Sequence, residues 1–219
     1  FTYSESISDM VQDGDTLWLA TGGGLIAYTT TTGAIQQFDR SNSGIPDNRI
    51  QCIEIASDGT KWVGTYTGLA AFKNGIWRVY YKEDIGSGSN YIHCIMEGPD
   101  GSIWVGTSAG LYRYSASTWH AQDIGIPKLI WSNEIRALAR DSSGNIIAAS
   151  EFGGIAKFDG TTWSSVSASA SCITNTVVRD LAIMPNGELW VGIQEGVTVI
   201  SSQSCTTYTV SNSPLSSGW

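Results

Sequence analysis

The sequence predicts an all-β fold, a five-bladed β-propeller of four-stranded antiparallel blades, and three observations carry that prediction. One string of residues recurs five times along the 219-residue chain, the copies lie 42 to 44 residues apart, and turn-forming glycines stand at the same places in each copy. Repeats of about 40 to 45 residues that each hold four short strands are the sequence signature of propeller blades.

The string is plainest in the second and third copies, where Asp58-Gly59-Thr60-Lys61-Trp62-Val63-Gly64-Thr65 is echoed by Asp100-Gly101-Ser102-Ile103-Trp104-Val105-Gly106-Thr107. A later copy reads Asn186-Gly187-Glu188-Leu189-Trp190-Val191-Gly192, an earlier one Leu17-Trp18-Leu19-Ala20-Thr21, and the fourth replaces the tryptophan with Ile147. After each comes a Gly-apolar pair: Gly24-Leu25, Gly68-Leu69, Gly110-Leu111, Gly154-Ile155 and Gly196-Val197. In the second copy an inner strand near 50–56 reaches Asp58-Gly59, a pair that tolerates positive φ and suits a two-residue hairpin. Strands through Trp62, over 69–72 and over 76–81 complete a meander, with Lys73-Asn74-Gly75 as its last turn. The same division of the other copies gives one domain over 1–219, with blades near 7–40, 48–83, 90–122, 133–168 and 175–211. The bulky Trp positions have an architectural use, since neighbouring twisted sheets leave a wedge that large apolar side chains must fill.

Composition agrees and removes several function classes. The chain is 42% hydrophobic and only 15% charged, which fits a packed globular protein rather than a disordered tail. Its net charge of −8 supplies no basic surface, so nucleic acid is not expected as a partner. No apolar run reaches the roughly 18 residues of a membrane helix, so no membrane span is expected in this chain. Cys52, Cys94, Cys172 and Cys205 lack the spacing of a zinc or redox motif. Cys52 and Cys94 hold matching inner-strand positions and are expected as packed thiols, while a Cys172–Cys205 disulfide is left open. The sequence begins at Phe1 rather than Met, which suggests a processed product or an excised segment.

The Trp-Val-Gly-Thr-x-x-Gly-Leu string with its preceding Asp-Gly resembles the two-component regulator propeller repeat. That family is found in extracellular sensor regions of bacterial hybrid histidine kinases and in related secreted proteins. The string also resembles, less closely, the sialidase Asp-box and the streptogramin lyase repeat. Asp58-Gly59 lacks the spacer residue of an Asp-box, however, and the two histidines, His93 and His120, fall on inner and outer strands. The resemblance implies an extracellular or periplasmic sensor propeller.

Candidate site residues follow from the blade geometry. The long outer-to-inner connections, 39–49, 82–90, 122–133 and 167–175, share a face with the turn between second and third strands, and loops on a rigid scaffold are where binding residues collect. Asn48, Asn90, Asn133 and Asn175 recur just before the inner strands, where an Asn ordinarily bonds its own backbone. The positions after them vary: Arg49, Tyr91 and Glu134, then His93 and Arg136 two residues further along. Variation inside a regular frame suits a polar pocket, with Tyr66 and Trp131, and also Phe152, as a stacking rim; alternatively Arg49, Glu134 and Arg136 neutralise one another around a channel. Glu151 and Glu195 read as solvated loop charges.

No Gly-x-Ser-x-Gly elbow, phosphate loop or metal-spaced cluster is present, so neither enzyme activity nor a cofactor is expected. The expected function is a non-enzymatic extracytoplasmic recognition module for a carbohydrate or small polar ligand. A second reading is a secreted structural or adhesive subunit. Ser211-Asn212-Ser213 parallels Ser41-Asn42-Ser43, which puts Trp219 at the threshold of another inner strand and raises self-association through the chain ends.

Overall fold

The computed structural model describes residues 6–124, 132–152, 154–166, 173, 177–201 and 204–215. Twenty strands form five antiparallel sheets of four, each a simple meander paired in chain order, which is the all-β, five-bladed propeller class. Blade 1 comprises β1 (Ile7–Asp13), β2 (Thr16–Thr21), β3 (Gly24–Thr29) and β4 (Ile35–Phe38). Blade 2 comprises β5 (Ile50–Ile55), β6 (Lys61–Thr65), β7 (Gly68–Lys73) and β8 (Ile76–Tyr80). A single helical turn, α1 (Lys82–Ile85), leads to blade 3: β9 (Ile92–Glu97), β10 (Ile103–Thr107), β11 (Gly110–Ser115) and β12 (Thr118–Ala121). Blade 4 has β13 (Ile135–Arg140), β14 (Ile146–Ser150), β15 (Ile155–Phe158) and β16 (Trp163–Ser165). Blade 5 has β17 (Val178–Ile183), β18 (Leu189–Ile193), β19 (Gly196–Ile200) and β20 (Cys205–Thr209). The chain divides into two compact units, residues 1–122 with blades 1 to 3 and residues 123–219 with blades 4 and 5.

Each motif residue has a local cause. The Thr that ends the second strand folds its hydroxyl back onto the turn, Thr65 Oγ1 donating to the Gly68 carbonyl at 2.8 Å and Thr21 Oγ1 to that of Gly24 at 2.7 Å. Gly68 then enters the third strand at φ +154°, where a Cβ would lie 3.2 Å from both Pro46 and the Tyr80 carbonyl, so the position admits glycine. The Asp-Gly turn differs from the expected two-residue hairpin. Ala56 N donates to Thr60 O at 2.9 Å, which closes a three-residue loop with Gly59 left-handed at φ +82°. Two-residue geometry occurs in blade 1, where Asp13 pairs with Thr16. Asp58 serves the turn by accepting from Thr60 N and pairing with Lys73 at 2.7 Å, and Lys73 with Thr60 holds its carboxyl down at about 2. Asp100 with Arg113, and Asp141 with Lys157, repeat the pair in blades 3 and 4. Such exposed pairs contribute about 0–1 kcal/mol each and fix geometry more than stability.

The core lies between blades. In the first unit Trp18 stacks on Phe38 at 5.8 Å and meets Phe72 of blade 2 at 6.5 Å, over a layer of Ile53, Val63 and Ala70. Trp62 repeats this one blade on, stacked on Tyr80 at 5.7 Å and packed on Tyr114 and Trp119 of blade 3 at 5.5 and 6.4 Å. Such aromatic pairs add about 0.5–1.5 kcal/mol each beyond the apolar area they bury. In the second unit Ile147 stands at the Trp position and packs among Ala149, Val178, Leu181 and Val191. Among the cysteines, Cys52 is a buried thiol and Cys94 a partly buried one, as their matching positions suggest, and Cys205 is disulfide-bonded; Cys172 lies outside the described residues.

Glycine in the Trp-Val-Gly-Thr string is a packing requirement as well. A Cβ on Gly64 would sit 2.7 Å from Ile92 Cγ2 and closer still to Cys52 Sγ, in the seam between blades 2 and 3. Gly64→Ala is therefore expected to cost about 1–3 kcal/mol through overpacking. Thermal denaturation should show a Tm several degrees lower, and an unchanged Tm would remove this account of the glycine.

Candidate functional site

The face carrying the outer-to-inner connections is braced by asparagine, though not in the expected way. Asn48 Oδ1 accepts from Arg40 N at 2.9 Å and Asn90 Oδ1 from Lys82 N at 2.6 Å, so each side chain ties the far end of its loop, eight residues back, rather than its own backbone. In the 82–90 loop the tie is reinforced by Ile85, which is buried beneath α1, and by left-handed Gly86, which ends the turn. The residues just past these asparagines are thereby presented in fixed positions at the mouths of the inner strands.

Four of the expected site residues come together in the first unit as a ladder of rings. The Arg49 guanidinium lies 4.4 Å above the Tyr66 ring, Tyr66 stacks on Tyr91 at 4.3 Å and 22°, and Tyr91 meets His93 at 4.1 Å. His93 Nε2 in turn bonds Ser108 Oγ at 2.8 Å. The ladder descends from solvent: the Arg49 side chain is 56% exposed, Tyr66 is 37% exposed, Tyr91 is half-buried and His93 is buried. Asp47 holds the outer end, contacting Arg49 at 2.9 Å and raising its pKa, while Tyr91 Oη reaches Gln51 at 3.4 Å. Chemically this is a stacking surface with a fixed cation at its rim and hydrogen-bonding groups at its base.

Glu134 and Arg136 lie in the second unit and form a different arrangement. Arg136 Nη2 contacts Glu134 at 2.8 Å and Glu151 at 2.6 Å, and all three side chains are about one-fifth exposed. Burial raises the Glu134 pKa to about 7, helped by its hydrogen bond with Glu151 and opposed by Arg136, so two carboxyls share one guanidinium and a proton near neutrality. Glu151 is thus not a solvated loop charge. It occupies the turn position that Tyr66 holds in blade 2 and Ser108 in blade 3, and that equivalence was the available signal for both Glu151 and Ser108. Arg49 pairs with Asp47 in the first unit. Phe152 is half exposed, and Trp131 lies outside the described residues. Among the described residues no group of three or more His, Cys, Asp or Glu side chains is placed to hold a metal ion.

Residues 86–109 match the two component regulator propeller family. That stretch holds Tyr91, His93 and the Trp-Val-Gly-Thr of the third copy, so the resemblance read from the motif is shown there. No curated protein matches the chain. Among solved structures, the extracellular domain of the hybrid two component system BT4673 from B. thetaiotaomicron is 25% identical at a TM-score of 0.74, over 91% of this chain and 28% of its own. A second such extracellular domain from the same organism, BT3049, is 18% identical at TM-score 0.77, over 95% of this chain and 29% of its own. The present chain therefore spans under a third of these extracellular domains. Virginiamycin B lyase from Staphylococcus aureus, an enzyme, aligns at TM-score 0.73 with 13% identity, over 95% of this chain and 71% of its own, and shows the shared fold alone.

The raised pKa in the Glu134–Arg136–Glu151 cluster has a definite sign. A carboxyl that holds its proton to about pH 7 when folded, but to about 4.5 when unfolded, makes folding less favourable as pH rises between those values. Glu134→Gln should therefore flatten the dependence of Tm on pH between about 4.5 and 7 and leave the variant as stable as, or more stable than, the parent above pH 7. Parallel melting curves for the two proteins across that window would show that the cluster is not the titrating element.

Proposed function

We propose that the chain, acting as one recognition domain over 1–219, is a non-enzymatic extracytoplasmic sensor propeller that binds a carbohydrate or other small polar ligand. The observation that carries this is the ladder Arg49–Tyr66–Tyr91–His93. A ring stack that begins at an exposed guanidinium and ends on a buried, hydrogen-bonded imidazole holds the Arg49 cation and the partly exposed tyrosine ring edges in fixed positions, where they can meet the hydroxyls and C–H groups of a small polar ligand. The family match and the likeness to extracellular domains of hybrid two component systems support the sensor role and a site outside the cytoplasm, in the extracellular space or the periplasm. The second unit supplies Glu134, Arg136 and Glu151 as a further polar contact set.

Binding to a panel of neutral and acidic oligosaccharides, followed by calorimetry on the best of them, tests this. Tyr66→Ala and Tyr91→Ala should each weaken the interaction about tenfold or more, as the loss of an anchoring contact worth ~1.4 kcal/mol and of the ladder that positions Arg49 requires. Arg78→Ala, on an outer strand, should change nothing. A panel without binders, affinity that survives both tyrosine substitutions, or a bound saccharide recovered chemically altered would each reject the proposal.

A further inference from the structure

Within the first unit, the seam between blades 1 and 2 holds a cleft of about 370 Å³ that the ligand ladder does not use. Trp18, Phe38 and Phe72 form its aromatic base. Its other walls follow from strand alternation: Thr16 and Trp18 on β2, Ala27 and Thr29 on β3, and Gln36 and Phe38 on β4 are each two residues apart, so all share the face of blade 1 that meets blade 2. Trp18 is 7% exposed, yet its indole Nε1–H meets no acceptor among the described residues. A buried donor without an acceptor is unfavourable and rare in folded proteins, and it marks a place where an acceptor supplied from outside gains a hydrogen bond.

The next seam is built from the same positions and treats its motif tryptophan differently. By strand register Thr29 and Gln36 of blade 1 correspond to Lys73 and Arg78 of blade 2, and Trp77 of blade 2 corresponds to Trp119 of blade 3. Between blades 2 and 3, Trp119 reaches Trp62 at 6.4 Å and the Arg78 guanidinium lies 4.8 Å over the Tyr80 ring. The cleft there, about 360 Å³, is lined by Arg78, Tyr80, Tyr114 and Trp119 among others, and Trp62 is not in its wall. Between blades 1 and 2, Trp77 instead meets Phe38 at 5.8 Å and Phe72 at 4.6 Å, and the cleft extends to Trp18. Thr29 and Gln36 leave its mouth uncharged where the second blade carries two cations. Lys61, whose Nζ is 5.7 Å from the Trp18 ring, is already paired with Asp13 at 2.8 Å.

We propose that this cleft is a second ligand site, which takes an uncharged, planar aromatic molecule carrying a hydrogen-bond acceptor on its edge. The ring packs against Trp18, Phe38 and Phe72, the acceptor receives the Trp18 Nε1–H, and Thr16, Thr29 and Gln36 offer neutral hydrogen-bonding groups at the mouth. The volume lies within the roughly 300–1,000 Å³ of small-molecule pockets. The site is separate from the ladder: it lies at the end of blade 1 where β2 starts and β3 ends, whereas Tyr66 stands in the turn where β6 ends and β7 starts.

NMR titration with quinoline, whose ring nitrogen is an acceptor, and with naphthalene, the same shape without one, tests this at the indole N–H signals of the nine tryptophans. Trp18→Phe deletes one signal and so assigns it. Quinoline should move the Trp18 Nε1–H signal downfield and saturably, and naphthalene should bind about tenfold more weakly. Trp18→Phe should erase that preference. Thr29→Lys combined with Gln36→Arg, the pair that blade 2 carries, should weaken quinoline binding about tenfold or more, and it tests the site even if Trp18→Phe fails to fold by circular dichroism. Tyr91→Ala, in the ladder, should leave the affinity unchanged. A Trp18 signal that quinoline does not move, equal affinity for the two probes, affinity that survives the double substitution, or affinity lost with Tyr91→Ala would overturn the proposal.

Discussion

The geometry of this protein depends on one packing constraint, the filling of the wedge that opens between two twisted sheets. Strand twist makes adjacent blades diverge from their inner to their outer strands, and the gap that results widens with distance from the inner strand. Small residues suffice near the inner strand, where Gly64 faces Cys52 and Ile92, whereas the outer part needs the indole of Trp62 together with Tyr80, Tyr114 and Trp119. The repeat therefore alternates residues that must be small with residues that must be large. The same logic explains the lone aliphatic copy: at Ile147 the neighbouring positions are Ala149, Val178, Leu181 and Val191, a layer of aliphatic rather than aromatic partners.

Because the wedge is satisfied within the sheets, the loop face is free of structural duty at chosen positions. The residues after Asn48, Asn90 and Asn133 and the first residues after the second strands of blades 2 to 4 carry no part of the core. They differ from blade to blade, as Arg49 and Tyr66, Tyr91 and Ser108, and Glu134 and Glu151 show. The two units use this freedom differently. Blades 2 and 3 build an aromatic ladder that grades from exposed cation to buried imidazole, and blade 4 builds a guanidinium held by two carboxyls. Stacking and charge sharing are thus placed on one type of scaffold by exchanging two or three side chains per repeat.

Much of the fold could be read from the sequence because its determinants are periodic. Trp62, Gly68 and Thr65 are required at fixed intervals by packing, by a positive φ and by a turn-closing hydroxyl, and periodic requirements leave periodic letters. The Ser-Asn-Ser parallel likewise proved physical: Asn42 bonds Asp39 N and Gln37 O, and Asn212 bonds Thr209 N and Thr207 O. What escaped was whatever depended on a single pairing. The Asp58-Gly59 turn contains one residue more than its dipeptide suggests, because Ala56 rather than Ser57 meets Thr60, and no composition rule fixes that choice. Glu151 was misjudged because exposure was inferred from residue type, while its actual environment is set by Arg136, fifteen positions away. Ser108 carries no motif at all and is defined by the His93 nitrogen it meets.

The asparagine ties have an evolutionary corollary. Where one amide fastens both ends of a connection, as Asn48 and Asn90 do, the connection is held by that tie and by one buried isoleucine between the tied points, Ile45 or Ile85. Segments that keep the buried isoleucine can be lengthened or shortened at small entropic expense while the blades on either side keep their alignment. The loop face is accordingly the part of the molecule where new specificity can arise by segment exchange, leaving the sheets unaltered.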